Sequence, residues 1–543
     1  MRSWSQLGSA SNLVLLVAGC VAASAAGAQT ETSTQSAAPG GLEEIVVTAQ
    51  RRQERLQDVP ISVSAFTQEK MDAQGIRNVD DLTASTPGVN FERMGLSAAS
   101  NYNDENSDIA IRGIDSSAGA STTAIYIDDT PIQSRHIGFG TVNAFPILFD
   151  LQRVEVLRGP QGTLFGASAE GGAVRFVTPE PSVKAYSGYL RSELAHTDGG
   201  DQSYETGVAA GGPIVDGSLG FRVSAYFRHD GGYVDRADYR TGAVTEPDAN
   251  WQDTAVLRAA LKWAVNDAVS ITPSILYQKL HLNDTGAYWP SLSNRQGGLF
   301  LNGNAQRNPS TDPFYLAAVK LDADFASSHL TANVSYFSRN QFDTPDYTQF
   351  DRAVYGLNPR AVYGHVGESP FTDVQHNATL EVRLQSIEPE ARLTWTTGMY
   401  LAHLDENSTQ HIIDPTINDE YTAAYGFPLC TAAAPCPGGE IDSVPENRII
   451  DKQAAIFGEL NVKMGAGWDA TAGLRVARLD VNGRSTEYGP FVGAGVGPTN
   501  PLVAAASSTQ DPLTPRFVLS YHPDHDNLIY ASAAKGYRPG GVN

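Results

Sequence analysis

From Lys184 onward the chain is a long series of segments in which apolar and polar residues alternate one by one. In residues 219–228 one face carries Leu219, Phe221, Val223, Ala225 and Phe227, and the other Gly220, Arg222, Ser224, Tyr226 and Arg228. Residues 255–263 repeat the pattern, with Ala255, Leu257, Ala259, Leu261 and Trp263 set against Arg258 and Lys262. Residues 378–385 do the same, with Ala378, Leu380, Val382 and Leu384 against Thr379, Glu381, Arg383 and Gln385. A period of two with one greasy side and one charged side is the signature of β-strands that face two different media. That pattern alone suits a soluble sandwich as well as a membrane barrel, and the connections break the tie. Brief turns (213–218, 265–268, 326–328, 464–467 and 522–526) alternate with long loops (231–253, 284–308, 344–372, 406–450 and 487–509). Short turns at one end and long loops at the other is the asymmetry of outer-membrane barrels. The predicted fold class is therefore mainly β: a small α+β domain followed by an antiparallel transmembrane β-barrel.

The front of the chain carries an address and a handle. Arg2, the apolar stretch Leu13-Val14-Leu15-Leu16-Val17 and the small residues Ala26-Gly27-Ala28 make residues 1–28 a signal peptide. The run is interrupted too early to span a bilayer. Val17-Ala18-Gly19-Cys20 also has the form of a lipoprotein box, which leaves lipidation at Cys20 as an alternative. Residues 29–57 read as a flexible leash, too polar and small-sided to build a core. Within it Ile45, Val46, Val47, Thr48 and Ala49 read as a β-branched strand with no partner inside the chain. Such a strand is a hazard unless another protein completes it by strand addition. Arg51 and Arg52 read as its solvated flank. Residues 58–181 form the small domain. They hold a strand at 58–66, a helix capped by Thr67 and stopped by Gly75, a second helix at 79–84 ended by Pro87-Gly88, and strands at 108–113 and 124–128. With 38 basic against 60 acidic side chains and a net charge of −22, a nucleic-acid partner is excluded.

The run Val154-Glu155-Val156-Leu157-Arg158-Gly159-Pro160-Gln161-Gly162-Thr163-Leu164-Phe165-Gly166, followed by Gly171-Gly172-Ala173-Val174 and Thr178-Pro179, resembles the end of the plug domain of the TonB-dependent outer-membrane receptors. Ile111-Arg112-Gly113 and Tyr126-Ile127-Asp128 are similar to further plug motifs, although Asp129 stands where the family often has Gly. Gly211-Gly212-Pro213-Ile214, Leu380-Glu381-Val382-Arg383-Leu384 and residues 530–541 resemble barrel landmarks. The resemblance implies a plug (58–181) inside a barrel (184–543) of the size class of about 22 strands, whose lumen has to be blocked. It makes residues 45–49 the TonB box, gripped in the periplasm by the TonB C-terminal domain and pulled with energy from an inner-membrane motor. It places the protein in the outer membrane of a Gram-negative bacterium, in contact with lipid. The cargo is a bulky nutrient, by default a ferric siderophore, with carbohydrate or a vitamin as alternatives. The plug motif comprises Gly113, Gly159, Pro160, Gly162, Gly166, Gly171 and Gly172. By the same resemblance Arg112 and Arg158 are expected to lock onto the barrel glutamates Glu381 and Glu459. There is no room before the box for a signalling domain, so transport alone is expected.

Other candidates have plainer readings. Asp128-Asp129-Thr130-Pro131 is a turn rather than a metal site. Arg135 and His136, in a loop at 132–142, are expected to face ligand. Cys430 and Cys436 are expected to pair as a disulfide, since no His pair lies beside them to complete a zinc site. No enzyme signature, resident cofactor or metal site is found. A passive porin or adhesin needs neither plug nor box, and a secreted β-rich hydrolase lacks a catalytic constellation. About 13 candidate strands follow Lys184, against about 22 for the plugged size class, and the chain stops at Gly540-Gly541-Val542-Asn543 rather than on an aromatic residue. A fragment or truncated gene product is expected on that ground, one that forms no working transporter by itself.

Overall fold

The computed structural model describes residues 45–93, 107–115, 119–133, 135, 143–358, 366–388, 390–431, 446–489, 500–524 and 527–540. The expectations for the signal peptide, Cys20, residues 29–44, His136 and Cys436 lie outside the described residues.

The first nine strands make the plug: β1 (Val46–Val47), β2 (Glu54–Arg55), β3 (Ser62–Thr67), β4 (Val89–Arg93), β5 (Ser107–Ile111), β6 (Thr123–Ile127), β7 (Thr130–Pro131), β8 (Arg153–Arg158) and β9 (Gly172–Val177). Five of them form one sheet in the order β3-β8-β9-β6-β7, in which β6 and β9 run parallel. The two short helices fall where they are expected, the first on its predicted caps. Thr67 Oγ1 accepts the Lys70 N–H at the start of Gln68–Gln74, and Gly75 closes that helix at φ 69°. Asn78 and Asp81 form a reciprocal capping box on Val79–Ala84. Phe66, Met71, Leu82, Ile125, Val154 and Phe176 meet beneath these helices in a dry core.

The remaining strands follow in chain order. β10 (Ser187–His196), β11 (Gln202–Val215) and β12 (Leu219–Asp230) come first. The loop strands β13 (Asp235–Ala237) and β14 (Val244–Glu246) follow, then β15 (Gln252–Asn266), β16 (Val269–Leu282) and the loop strand β17 (Leu301–Asn302). Next are β18 (Ser310–Asp324), β19 (Ser328–Asp343), β20 (Phe371–Ser386), β21 (Leu393–Gln410), β22 (Glu446–Gly465) and β23 (Trp468–Glu487). The last are β24 (Leu502–Gln510), β25 (Leu513–Tyr521) and β26 (Ile529–Ala534). Fourteen of these form one antiparallel sheet, a wall that runs from β10 to β26 with neighbours in chain order apart from the small loop strands. β24 and β25 pair with successive stretches of β23, so they serve as one strand interrupted before Leu513. The expected count of about 13 strand positions therefore stands, and β10 and β26 do not pair with each other among the described residues.

Three boundaries differ from expectation. β21 runs on to Gln410, β22 begins at Glu446, and β24 occupies most of the end of the loop placed at 487–509. The outer strand ends carry Asp, Glu, Asn and Ser on both faces, and the alternation that marks a strand in lipid fades there. No helix among the described residues is long and apolar enough to cross a membrane.

The wall inverts the usual order of inside and outside. On β15 Leu257, Leu261 and Trp263 point outward and are exposed, while Thr254, Arg258 and Ala260 point inward and are buried. On β20 the inward residues are Asp373, Gln375, Asn377, Thr379, Glu381 and Arg383. An apolar exterior over a polar interior is what a sheet facing lipid requires.

Candidate functional site

The functional site is built where residues 45–55 meet the plug and the wall. The expectation that residues 45–49 lack a partner inside the chain is corrected: β1 pairs with β2, Val46 with Arg55 and Val47 with Glu54. Val47 and Ala49 are wholly buried, in an apolar cluster with Val59, Ala65, Tyr126, Leu157 and Phe165. The period of two that marks these residues as a strand also gives one face to the plug, and Val46 on the other face stays open to solvent.

Polar groups fix the register of this hairpin. The Thr48 N–H and hydroxyl donate to Glu155 Oε1 at 2.7 and 3.0 Å. Arg153 Nε donates to the same oxygen at 2.7 Å, and Arg175 Nη1 donates to Glu155 Oε2 at 3.0 Å and to the Thr48 carbonyl at 2.9 Å. Burial works against the charged form of Glu155, but Arg175, Arg153 and the Thr48 N–H outweigh it and hold the carboxyl below its usual range.

Arg51, in the turn that follows Thr48, sits in the left-handed region at φ 63° with its guanidinium buried. Its Nη1 donates to Asp129 at 2.8 Å and its Nη2 lies 3.6 Å from Glu381. The guanidinium carbon stands 4.2 Å from the centroid of the Phe165 ring. Arg383 grips Asp129 through two nitrogens, at 3.1 and 3.0 Å, and Arg175 approaches it at 3.5 Å. Burial opposes ionisation of Asp129, yet Arg383, Arg51 and Arg175 prevail and hold its carboxyl well below the usual range. Asp129 thus joins the handle (Arg51), the plug sheet (Arg175) and the wall (Arg383) through one side chain. Arg52 reaches the wall as well, donating to Thr396 Oγ1 at 3.0 Å and Ser386 Oγ at 2.8 Å. Neither arginine is the solvated flank that the sequence suggested.

The expected lock is drawn differently. Arg158 Nη1 donates to the Pro87 carbonyl at 2.8 Å, within the plug, and Arg112 is exposed at φ 55° beside Gly159. Glu381 is held by Arg383 at 2.5 Å on its own strand, and Glu459 by Arg516 at 2.5 Å. Arg112 and Arg158 therefore pair with neither glutamate. Arg158 ends β8 and Arg112 follows β5, so both stand at a rim of the plug, where Arg158 meets a local carbonyl and Arg112 solvent. Arg135 does cross the gap: its N–H donates to Glu406 at 2.9 Å and its Nε to Asp451 at 2.8 Å. It is held by the wall, and it also lines a small pocket with Tyr126, Phe165 and Tyr400.

The glycine motif shapes the turn between β8 and β9. Gly159 takes φ 100°, and a Cβ on Gly162 would stand 2.6 Å from the Lys535 carbonyl, so only glycine lets this loop meet the last described stretch of chain. Pro160, Gly166 and Gly171 lie in the same turn, Gly172 opens β9, and Gly113 turns at φ 74° after β5. Asp128 accepts the Thr178 N–H and hydroxyl, both at 2.8 Å, as the turn expected there. Cys430 is disulfide-bonded. Among the described residues no group of three or more His, Cys, Asp or Glu could hold a metal ion.

On the long-loop side of the plug lies a cavity of about 840 Å³ between the plug and strands β12, β15, β16, β18 and β19. Phe91, Phe145 and Ile147 of the plug face Tyr226, Gln278 and Tyr288 across it.

Two family models match this arrangement. The TonB-dependent Receptor Plug Domain covers residues 55–173, and the TonB dependent receptor-like β-barrel covers residues 185–543, well over half of the chain. The chain belongs to the TonB-dependent receptor family. The pesticin receptor of Yersinia pestis is 31% identical over 208 residues, which are 38% of this chain and 27% of that protein. The ferripyoverdine receptor of Pseudomonas aeruginosa is 25% identical over 209 residues, 38% of this chain and 23% of that protein. The crystal structure of the ferric yersiniabactin uptake receptor of Yersinia pestis superposes with a TM-score of 0.68 at 18% identity, covering 89% of this chain and 65% of that one. This TonB-dependent receptor thus aligns with about a quarter of the length of those curated relatives and about two thirds of that solved structure. Its place is the Gram-negative outer membrane, as the lipid-facing wall requires.

The charged residues of this receptor that sequence reasoning missed are Arg153, Glu155 and Arg175. Their signal was present: each is a charge inside a strand of the plug sheet, Arg-Val-Glu-Val in β8 and Ala-Val-Arg-Phe in β9. A buried charge needs a partner, and these three meet one another and the segment at Thr48.

Proposed function

We propose that this receptor, when its wall is closed into a barrel, takes up a ferric siderophore across the outer membrane, driven through residues 45–49 by the C-terminal domain of a TonB protein and its inner-membrane motor. The process is transport without covalent chemistry. The observation that carries this reading is the hairpin of β1 and β2, docked on the plug by Thr48 and Arg51 and continuous with plug strand β3. A partner that adds a strand to residues 45–49 and pulls draws first on this ionic network and then on the plug sheet. The receptors of Yersinia and Pseudomonas named above supply the cargo class by their names. A passive porin gains nothing from such a handle.

Deleting residues 45–49 tests the reading. Cells expressing the variant are expected to bind a ferric siderophore at the surface and to accumulate no iron from it. Undiminished accumulation would sink the proposal.

A further inference from the structure

The cavity of about 840 Å³ is of a size that takes one bulky small molecule. Its wall contains three arginines, Arg77, Arg228 and Arg339, and three aspartates, Asp80, Asp230 and Asp312. Each arginine is already spoken for. Arg228 donates to Asp230 at 2.6 Å and to Glu205 at 3.0 Å. Arg339 grips Asp312 through Nε and Nη2 at 2.7 and 2.8 Å and is almost wholly buried. Arg77 lies 3.2 Å from Asp72 and 3.4 Å from Glu193.

Among the described residues the rest of the lining is uncharged. Phe91 and Phe145 meet edge to face, with centroids 5.3 Å apart. Tyr226, Tyr233 and Tyr288 add further rings, and Asn78, Asn250 and Gln252 supply amides. Aromatic faces and amides hold a bulky polar molecule by contact area and neutral hydrogen bonds. A ligand with a large net charge would be drawn out of water without a counter-charge to meet it, which is unfavourable.

Resting on the uptake reading above, we infer that this cavity selects electrically neutral ferric chelates, of the trihydroxamate type, over multiply anionic ones such as tris-catecholates. In a trihydroxamate three singly charged arms cancel Fe³⁺; in a tris-catecholate three doubly charged arms leave the complex trianionic. Arginines already held by carboxylates leave no counter-charge for the second.

The test uses the full chain in detergent micelles and intrinsic fluorescence quenching by two probes, a ferric trihydroxamate and a ferric tris-catecholate. The neutral chelate is expected to bind about tenfold tighter or better, a margin that a single uncompensated charge readily exceeds. Asp230→Asn removes one acid and leaves Arg228 with Glu205, so it is expected to shift the preference several-fold toward the trianionic chelate. Equal or tighter binding of the trianionic chelate to the unaltered protein, or no shift in the variant, overturns the inference. If the trianionic chelate wins and its accumulation still needs residues 45–49, the inference alone falls. If neither chelate binds, the uptake reading falls with it.

Discussion

The plug and the wall are both β-sheet, and they are built on opposite rules. In the plug Ile125, Val154 and Phe176 point inward to a dry core. In the wall Leu257, Ile275 and Val334 point outward, while Arg222, Arg258 and Glu381 point in and are buried. The difference lies in the medium each sheet faces: a plug sheet must hide its apolar side from water, and a wall strand must show its apolar side to lipid. Where the two meet, the rules mix: wall side chains such as Phe314, Phe337 and Phe457 join the plug's apolar clusters, and ion pairs such as Arg51–Asp129, Arg383–Asp129 and Arg135–Asp451 run between them. A polar seam of this kind holds firmly when every charge is matched and gives way abruptly when one is lost.

Substitutions can break that contrast, beginning at the seam. Asp129→Ala strips three guanidiniums of a shared buried carboxylate, at a cost of about 3–5 kcal/mol. With Ala49→Cys as reporter, the thiol is expected to react slowly in the otherwise native protein and much faster in the Asp129 variant; equal rates would show that Asp129 does not hold the segment. In the wall, Leu257→Arg places a charge toward lipid and is expected to lower the unfolding stability in urea by about 2–4 kcal/mol. An unchanged urea midpoint would show that this face does not meet hydrocarbon.

The pH dependence of the handle comes next. Burial pushes the Glu54 carboxyl up to about 7, with Glu459 and Asp58 adding to the rise and Arg52 and Arg516 opposing it. Once the hairpin is released that carboxyl returns to its ordinary value of about 4.5. The docked form therefore favours the protonated acid: docking is strongest below about pH 4.5, weakens as pH climbs toward 7, and levels off above it. A spin label at Val46→Cys is expected to gain mobility between pH 5 and pH 8, by about seventyfold in the ratio of released to docked handle. Glu54→Gln should flatten that profile, and a profile that survives the change would assign the effect to another group. The smallest effect belongs to the plug core, where Ile125→Val should cost about 0.5–1.5 kcal/mol, read as a lower plug unfolding midpoint with the wall's transition unmoved.

The architecture was legible because lipid forces a rigid code. Leu219 to Arg228 alternates without exception, and the turn lengths repeat the same message. The plug helices were legible from Thr67, Gly75 and Pro87-Gly88, since caps and stops are local chemistry; the Asn78–Asp81 box was there to be read and was not. The site was only half legible. Residues 45–49 stand out as a strand, but that they fold back on Glu54–Arg55 depends on a register no local signal carries. Arg112 and Arg158 drew attention through the family resemblance, whereas the plug arginines that reach the wall include Arg51, Arg52, Arg77 and Arg135. Which arginine meets which carboxylate is decided by the rotation of the plug within the wall, a long-range quantity absent from any short stretch of chain.

The hairpin of β1 and β2 also sets how any partner's affinity must be measured. A strand-adding protein meets residues 45–49 only in the fraction of molecules whose handle has left Glu54–Arg55 and the plug, so its apparent Kd is the intrinsic Kd divided by that fraction. A free peptide of residues 43–52 has no such tax and will overstate the affinity of the intact receptor. The ratio of the two constants is a direct reading of the equilibrium between stowed and offered handle, obtained without perturbing a single residue.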